Sequence, residues 1–263
     1  MPITHVKNDY LIARGRVYFD PFDASENRTG EIALGNCPSV TINIETEEAE
    51  HYSSEAGMRE KDGSWVVEVK RTGSLTCDNF SPSNSALWLS GTHEVKSQSA
   101  TPVEDEAITV VPARLYQLGQ TSLNPLGVRN VSAVAVKSSD GLTTYTAGTD
   151  YNVDLETGRI QILESGTIAA GVIKVDYTPV AGQYEAVKSG ANAKLYGSLR
   201  IVSDNATGGN RDWYFPKVTL LPSGELPLVA EGTDVVTMEF GLEVLKSANA
   251  EAIYVDGRPY AAS

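Results

Sequence analysis

Histidine and cysteine, which often carry out catalysis, are sparse in this chain of 263 residues. The three histidines are His5, His51 and His93, and none of them lies in a known catalytic signature. The 34 acidic residues could supply the paired carboxylates of a glycosidase, but no spacing singles out two of them. The sequence therefore predicts no catalytic residue, no cofactor and no enzymatic activity.

Metal-ligand patterns are equally hard to find. The chain contains no HExxH, CxxC or EF-hand motif. Asp150, Asp154 and Glu156, in GTDYNVDLETG, could wrap a calcium ion or could simply be the acidic residues of a hairpin turn. Cys37 and Cys77 are the only cysteines, too few for a disulfide framework, and we expect both to be buried free thiols.

The net charge limits the possible partners. Acidic residues outnumber lysine and arginine by 34 to 21, which gives a formal net charge of -13. A surface of this sign does not hold nucleic acid by neutralising phosphates. No apolar run approaches the roughly 18 residues of a membrane span. We therefore expect a protein that repels DNA, has no membrane partner and is made in the cytoplasm.

The elements that would position any site are predicted to be strands. In SVTINIETEEAEH, residues 39–51, polar Thr41, Asn43, Glu45 and Glu47 alternate with Val40, Ile42 and Ile44. In VVTMEFGLEVL, residues 235–245, Val236, Met238, Phe240, Leu242 and Val244 alternate with polar or small residues. A period of two with one apolar side predicts antiparallel sheets that have one face on a core and one on water.

Two other runs predict strands of the same kind. WVVEVKRTGSLTC is expected to place Trp65, Val67 and Val69 on one side, and AKLYGSLRIV to place Leu195, Leu199 and Ile201 on one side. Helix is expected to be minor. One short helix is predicted around residues 83–89, capped by Ser83 or Ser85, and a second is possible within SSEAGMREKD.

The middle third of the chain reads as a separate module. Short strands such as NVSAVAVK and GVIKVDYT are separated by SSDG, LETG and ESG turns, a spacing typical of a small β-sandwich. The predicted organisation is an outer domain formed by residues 1–101 and 182–263, with a β-sandwich module inserted at residues 102–181.

The outer segments resemble a known family of virion proteins, the major tail tube proteins of phages with long non-contractile tails (siphophages). The resemblance covers residues 14–98 and 194–257. It lies in the order and the general residue pattern of several sequence blocks, not in a short signature. These blocks are RGRVYFDPFD, GEIALGNCPSVTINIETEEAEHYSSEAGMREKDGSWVVEVKRTGSLTCDNF, GSLRIVSDNATGGNRDWYFPKVTLLPSGELPL and VVTMEFGLEVLKSANAEAIYVDG.

The resemblance implies a mainly β, antiparallel, barrel-forming tail tube domain with an inserted small Ig-like sandwich. In that family, hexameric rings stack into a hollow tube whose lumen conducts the genome. We expect the polar strand faces to line this lumen. Lys70, Lys194 and Arg200 are expected to neutralise part of the negative charge of the acidic residues there. The predicted lumen residues are Thr41, Asn43, Glu45, Glu47, Glu68, Glu239 and Glu243.

The resemblance also implies contacts between rings, through the connection at residues 46–64. Its predicted contact residues are Ser53, Ser54, Glu55, Met58, Arg59 and Lys61. Further implied partners are the tape-measure protein, the tail terminator and tail tip proteins, and genomic DNA that passes without specific binding. The expected location is the virion, after assembly in the host cytoplasm.

A different class of function stays open at this point. Two β-sandwiches could also form an extracellular adhesin or carbohydrate-binding protein. Such a protein would bind glycans through exposed aromatic side chains, and Trp65, Trp88 and Trp213 could build a sugar-binding platform.

Overall fold

The fold was analysed in a computed structural model that describes residues 8–55, 57–190 and 194–259. The chain is mainly β and its sheets are antiparallel, as the sequence predicts. The described residues form two compact units. One contains the residues up to His93 and those from Val187 onward, and the other contains Glu94–Ala186.

The first unit is built on one large antiparallel sheet. Its strands run in the order β2-β1-β13-β14-β15-β4-β3, and β16 also pairs with β14. The path ends at β2 and β3, so over the described residues the sheet is not closed into a barrel. The strands are β1 (Gly15–Pro21), β2 (Ile32–Ala33), β3 (Ser39–Ser53), β4 (Glu60–Cys77), β13 (Leu195–Ser203), β14 (Arg211–Ser223), β15 (Met238–Val244) and β16 (Tyr254–Gly257).

Strand alternation produces the core of this unit. In β15, Met238, Phe240, Leu242 and Val244 are buried, and the residues between them are more exposed, as the VVTMEFGLEVL pattern predicts. They pack with side chains from the other strands into one hydrophobic cluster. Its large members include Phe19, Leu34, Leu75, Leu199, Phe215 and Leu220.

Strand β14 pairs with different partners along its length. Its first half, Arg211–Tyr214, pairs with β16, and its second half, Val218–Ser223, pairs with β15. The register against β13 shifts between Phe215 and Val218, where Pro216 lies. Proline cannot donate to a ladder and is confined to edges and irregularities of sheets, so its position fits this shift.

The only helix in the described chain is α1, Pro82–Trp88. Its N-cap is Ser81, whose side chain accepts a hydrogen bond from the amide of Asn84, so the predicted caps Ser83 and Ser85 were wrong. Pro82 at the first helical position fixes the backbone there, which makes the preceding residue the cap. The second predicted helix, within SSEAGMREKD, is absent from the described residues of that segment.

The second unit is a β-sandwich of two three-stranded sheets, β7-β10-β9 and β6-β11-β8. Their facing side chains form a separate core that includes Val136, Ile160, Ile162 and Val175. The strands are β6 (Val103–Val110), β7 (Leu115–Gln117), β8 (Val131–Ser138), β9 (Tyr151–Asp154), β10 (Arg159–Ile162) and β11 (Gly171–Pro179).

The second unit is longer at both ends than the predicted module of residues 102–181. The strands β5 (Thr92–Gln98) and β12 (Gly182–Lys188) pair with each other in a two-stranded sheet, and the division between units falls within them. Neither strand was recognised in the sequence, where the boundaries were drawn at residues 102 and 181, within two proline-containing stretches.

The loop between β1 and β2 is organised by one buried carboxylate. Asp20 is fully buried and accepts hydrogen bonds from Arg28 Nε at 2.6 Å and from the amides of Thr29 and Gly30 at 3.0 and 2.8 Å. Burial alone would raise the pKa of Asp20, but these three donors stabilise the charged form, and the net effect is a lowered pKa.

Asp20→Asn is expected to lower the free energy of unfolding at pH 7 by about 1–3 kcal/mol, because it removes a buried charge that holds three donors. Since the folded-state pKa is depressed, the contribution of Asp20 is present above its unfolded pKa of about 4 and is lost as pH falls through the folded value. Urea unfolding of both proteins between pH 3 and pH 7 measures this. A difference that stays constant across this range would contradict the assignment.

Candidate functional site

The sheet of the first unit has a polar face opposite its core, and strand register determines which residues share it. In the β3-β4 pair, Thr41 lies opposite Ser74, Asn43 opposite Thr72, Glu45 opposite Lys70, and Glu47 opposite Glu68. Residues directly opposite one another in an antiparallel pair project to the same side. Since Val40 and Ile42 pack against the core, these eight residues lie on the other side.

The next strand continues this surface. Glu239 lies opposite Thr76 and Glu243 opposite Thr72, and Phe240 and Leu242 between them are buried. The pairing therefore places all seven residues that the sequence analysis grouped on one side of the β15-β4-β3 ladder, with Glu45, Glu47 and Glu68 on the part that extends past β15. We call this surface the polar face, and its predicted members are Thr41, Asn43, Glu45, Glu47, Glu68, Glu239 and Glu243.

Hydrogen bonds order the hydroxyl and amide groups of the polar face. The hydroxyls of Thr41 and Ser74 are 2.8 Å apart, and Asn43 Nδ2 donates to Glu45 Oε1 at 2.7 Å. Ser74 and Thr72 were not identified from the sequence. The sequence pattern could have predicted them, because both fall on the polar side of the alternation in KRTGSLTC.

The charge of the polar face is a partly compensated excess of carboxylates. Lys70 Nζ lies 3.5 Å from Glu68, and Lys194 Nζ lies 3.0 Å from Glu243. Lys217 lies near the ring of Tyr196, beside Lys194, but bonds Glu26. Because Lys217 is paired with Glu26, the five glutamates of the polar face are offset only by Lys70 and Lys194, which leaves an excess of three negative charges.

Arg200 does not offset the acidic residues of the polar face as expected. Its Nε donates to Glu31 at 2.7 Å, and its guanidinium lies 4.6 Å from the centre of the Tyr214 ring. Arg200 lies opposite Tyr18 of β1 and Tyr214 of β14, whereas the position of β13 in line with Glu243 is Tyr196, four residues away. Ser198, a polar position of AKLYGSLRIV, is buried where β14 has one extra residue between Phe215 and Val218.

Beyond the sheet, β3 and β4 continue as a two-stranded hairpin, which we call the arm. β15 pairs with β4 only at residues 72–77, so residues 60–71 of β4 have β3 as their one partner in the described structure. At about 3.3 Å per residue, this portion is on the order of 40 Å long. The arm is a projecting element whose two faces are both open.

The arm exposes apolar side chains along its length. Ile44 is 56% exposed, Trp65 59%, Val66 56% and Val67 62%. Isolated two-stranded hairpins are marginally stable in water, and exposed apolar patches of this kind mark interaction surfaces. Val66 and Val67 were not identified as functional from the sequence, although the consecutive valines in WVVEV break the period-two pattern there.

Two register shifts alter the faces of the arm. Glu47 pairs with Glu68 but Glu48 pairs with Val66, so Val67 is an extra residue in β4, and Asp62 is a second one. Trp65 therefore lies opposite Ala49, and its ring lies 6.2 Å from that of His51. The predicted common side for Trp65, Val67 and Val69 was wrong, because an inserted residue interrupts the alternation between them.

The predicted ring-contact residues lie at the tip of the arm. β3 ends at Ser53 and β4 begins at Glu60, so most of the segment 46–64, expected to be a long connection, is strand. Met58 is 72% exposed. The guanidinium of Arg59 lies 4.8 Å from the centre of the Tyr52 ring, and Lys61 pairs with Glu50 at 2.7 Å. Ser53, Ser54 and Glu55 complete the described part of the tip.

The outer edge of β3 is open. In the strand order of this sheet β3 comes last, and over the described residues its only partner is β4. The edge presents unpaired backbone donors and acceptors along a strand of 15 residues. Such an edge is a template for pairing with another strand.

The acidic residues that could have formed a calcium loop are used as structural acceptors. Asp150 accepts from the amides of Thr146 and Thr167 and from the Thr167 hydroxyl, each at 2.8 Å. Asp154 accepts from the Thr157 hydroxyl at 2.6 Å. These bonds fit the hairpin-turn interpretation, and the part of the chain that the structure describes contains no cluster of three metal-ligating side chains.

Cys37 and Cys77 are free thiols in contact with each other. Cys77 is buried and Cys37 half-buried. The contact between them lowers the pKa of Cys77, against the effect of burial. It raises the pKa of Cys37, and burial raises it further. The prediction of free thiols is confirmed, although Cys37 is less buried than expected.

Comparison with known proteins gives a match to a family model. A family model described as "Protein of unknown function UCP028589" matches residues 10–252. A search of curated proteins finds no match. Within the described residues, the structure also contains no helix of the length and apolarity needed to cross a membrane.

Substitutions in the arm and in the core portion of β4 are expected to differ in their effect on the free energy of unfolding. Val66→Thr with Val67→Thr should change the free energy of unfolding of the monomer by less than about 0.5 kcal/mol, because both side chains are exposed. Leu75→Ala, in the same strand but fully buried, should cost about 2–5 kcal/mol. Urea denaturation measures both. A large loss in the double variant would show that the arm is packed within the monomer.

Proposed function

The chain belongs to the family described as "Protein of unknown function UCP028589", and we propose that it is a structural virion protein that forms the tail tube of a siphophage. In this proposal, hexameric rings of the chain stack into a hollow conduit with an acidic lumen, through which DNA passes into the host. The observation that carries the proposal is the open edge of β3, continued by an arm with apolar side chains on its surface.

The open edge supports assembly by strand pairing. A sheet edge that is not blocked or covered recruits another strand, and closure of the sheet across subunits removes the unpaired groups. When the edge of one copy joins a different surface of the next, the contact is heterologous and closes into a ring if the rotation fits. The edge of β3 thus favours a cyclic assembly of identical chains.

The arm supports contacts outside the first unit of its own chain. Its apolar side chains contribute little to the stability of a free monomer, because they stay in water. Burying Val66 and Val67 in a neighbouring copy would recover about 1.5–3 kcal/mol for each fully buried side chain. The arm tip, with Met58 and Arg59, offers a mixed apolar and charged surface suited to a contact between rings.

The polar face supports the role of a lumen wall. Its excess of three negative charges per chain would be repeated around each ring and along the tube. At physiological salt the field of such charges fades over roughly 8 Å, so repulsion acts on DNA close to the wall. The negative charge would keep phosphates from binding to the wall, and DNA would pass without specific contacts.

The proposal also implies the surroundings of the protein. The partners would be further copies of the chain, the tape-measure protein, the tail terminator and tail tip proteins, and the genomic DNA in transit. The location would be the virion, after assembly in the host cytoplasm. No catalytic step and no cofactor belong to this function.

The carbohydrate-binding alternative receives no specific support from the tryptophans. Trp65 lies on the arm beside His51, Trp88 Nε1 donates to the carbonyl of Glu239, and Trp213 stacks on Phe215. Their three environments differ, so they do not make a common sugar-binding platform.

Purified protein, when concentrated without partners, is expected to form hollow tubes that negative-stain electron microscopy detects. Val66→Thr with Val67→Thr should raise the protein concentration needed for tubes at least tenfold, because about 1.4 kcal/mol of lost burial corresponds to a factor of ten.

The matched control is Val172→Thr with Val180→Thr, which changes two exposed valines of the second unit. It should leave the threshold unchanged. Wild-type protein that remains monomeric at every concentration would contradict self-assembly. Tubes of the β4 variant that form at the wild-type threshold would contradict the role of the arm.

Glu45→Lys with Glu47→Lys is expected to preserve tubes and to slow DNA ejection from assembled virions, because the wall would then attract phosphate. Assembly should tolerate the change, since Glu47→Lys puts a lysine opposite Glu68 and compensates for the lysine that Glu45→Lys puts opposite Lys70. The measurement is the ejection rate at physiological salt and at high salt, where the difference should shrink.

The control for this experiment is Glu225→Lys with Glu231→Lys, an equal charge change in the exposed connection between β14 and β15. Ejection by this variant should match the wild type. Equal ejection rates for the polar-face variant and the wild type would refute the assignment of Glu45 and Glu47 to the lumen.

A further inference from the structure

The second unit contains a groove of about 890 Å³ on one side of its sandwich. It lies between β6, an edge of one sheet, and β7, an edge of the other, and the short connection 111–114 joins these two strands. Side chains that line it include Thr109, Tyr116, Gln117, Arg129, Asn130 and Arg159. The groove lies entirely within this unit and was not anticipated from the sequence.

Two strand edges border this groove. β6 pairs only with β11, and β7 pairs only with β10, over the described residues. The bulge that interrupts β6 lies at Asp105, whose φ is 55°, and residues 106–110 keep a regular register with β11. The regular part of β6 is the part that lines the groove. An unpaired, regular edge can accept the backbone of an added strand.

Two arginines and two glutamates line the groove, and the arginines are the groups open to a ligand. Arg129 and Arg159 are exposed, and their guanidinium groups have no ion pair or hydrogen bond in the part of the chain that the structure describes. In contrast, Arg28, Arg200 and Arg258 each pair with a carboxylate. Gln98 fixes the backbone of Arg129 by bonding both its amide and its carbonyl, at 3.1 and 2.6 Å.

Within the described residues, Arg129 and Arg159 form no ion pair with the carboxylates of the groove or with Asp154, which lies opposite Arg159 in β9. Glu106 accepts a hydrogen bond from the amide of Gly119 at 3.1 Å, so it is already engaged. Glu156 is the other acidic residue of the lining. An arginine binds a carboxylate through two parallel hydrogen bonds, which makes carboxylate the natural ligand for both guanidinium groups.

We propose that this groove binds an extended peptide segment of a partner protein, which adds as a strand to the edge of β6 and places carboxylate side chains against Arg129 and Arg159. Residues 106–110 of β6 would match about five residues of the peptide, roughly 17 Å. Backbone pairing would supply affinity, and the arginines would select acidic sequences. The inference does not depend on the function proposed for the first unit.

The test uses full-length protein and a fluorescein-labelled peptide of four Thr-Glu repeats, with binding followed by fluorescence anisotropy. We expect saturable binding that weakens about tenfold when glutamine replaces glutamate in the peptide. Arg129→Ala and Arg159→Ala should each weaken binding at least tenfold, whereas Arg114→Ala, an exposed arginine outside the groove lining, should have no effect.

A second peptide separates strand addition from simple charge attraction. N-methylation of alternate amides keeps every carboxylate but removes backbone donors, so it should abolish binding. Retained binding of this peptide, equal affinity for the glutamine peptide, or no binding up to 5 mM would overturn the proposal. Tighter binding of trigalacturonate would instead identify an acidic saccharide site. Dimerisation that is lost with the two arginine substitutions would identify a second copy as the occupant.

Discussion

Backbone hydrogen bonding at sheet edges is the constraint on which the rest of this structure depends. Every strand has donors and acceptors on both sides, and a sheet that does not close must leave some of them without partners. In the first unit this occurs at β3, along the edge that continues into the arm. The same strand carries four of the seven predicted polar-face residues, so the open edge, the arm and much of the acidic surface belong to one hairpin.

The two units differ in where β-bulges interrupt their edge strands. In the second unit, β6 has a bulge at Asp105 and β8 has one near Ala133, each with a left-handed residue, and bulges of this kind discourage pairing along those parts of the edge. In the first unit the inserted residues, Val67 and Asp62, belong to β4. β3 therefore stays regular along its outer edge, which suits a strand that receives a partner.

The sequence allowed the faces of regular strands to be predicted but not their interruptions. The alternation around Phe240 and around Asn43 gave the correct core and polar sides, because a period of two determines facing. The position of Trp65 could not be predicted, since one inserted residue in β4 changes the register and depends on pairing with a distant strand. The groove of the second unit depends on which strands lie at sheet edges, a property of topology that local patterns do not carry.

Strand β14 has a mechanical consequence for the first unit. One uninterrupted chain of 13 residues pairs with β16 at one end and β15 at the other. A force applied along this strand is carried by covalent bonds from one part of the sheet to the other, and the ladders on either side are loaded in shear, with many hydrogen bonds strained together. The part of the sheet that contains β15 and the part that contains β16 therefore resist stretching together, because they cannot separate without breaking the ladders along β14.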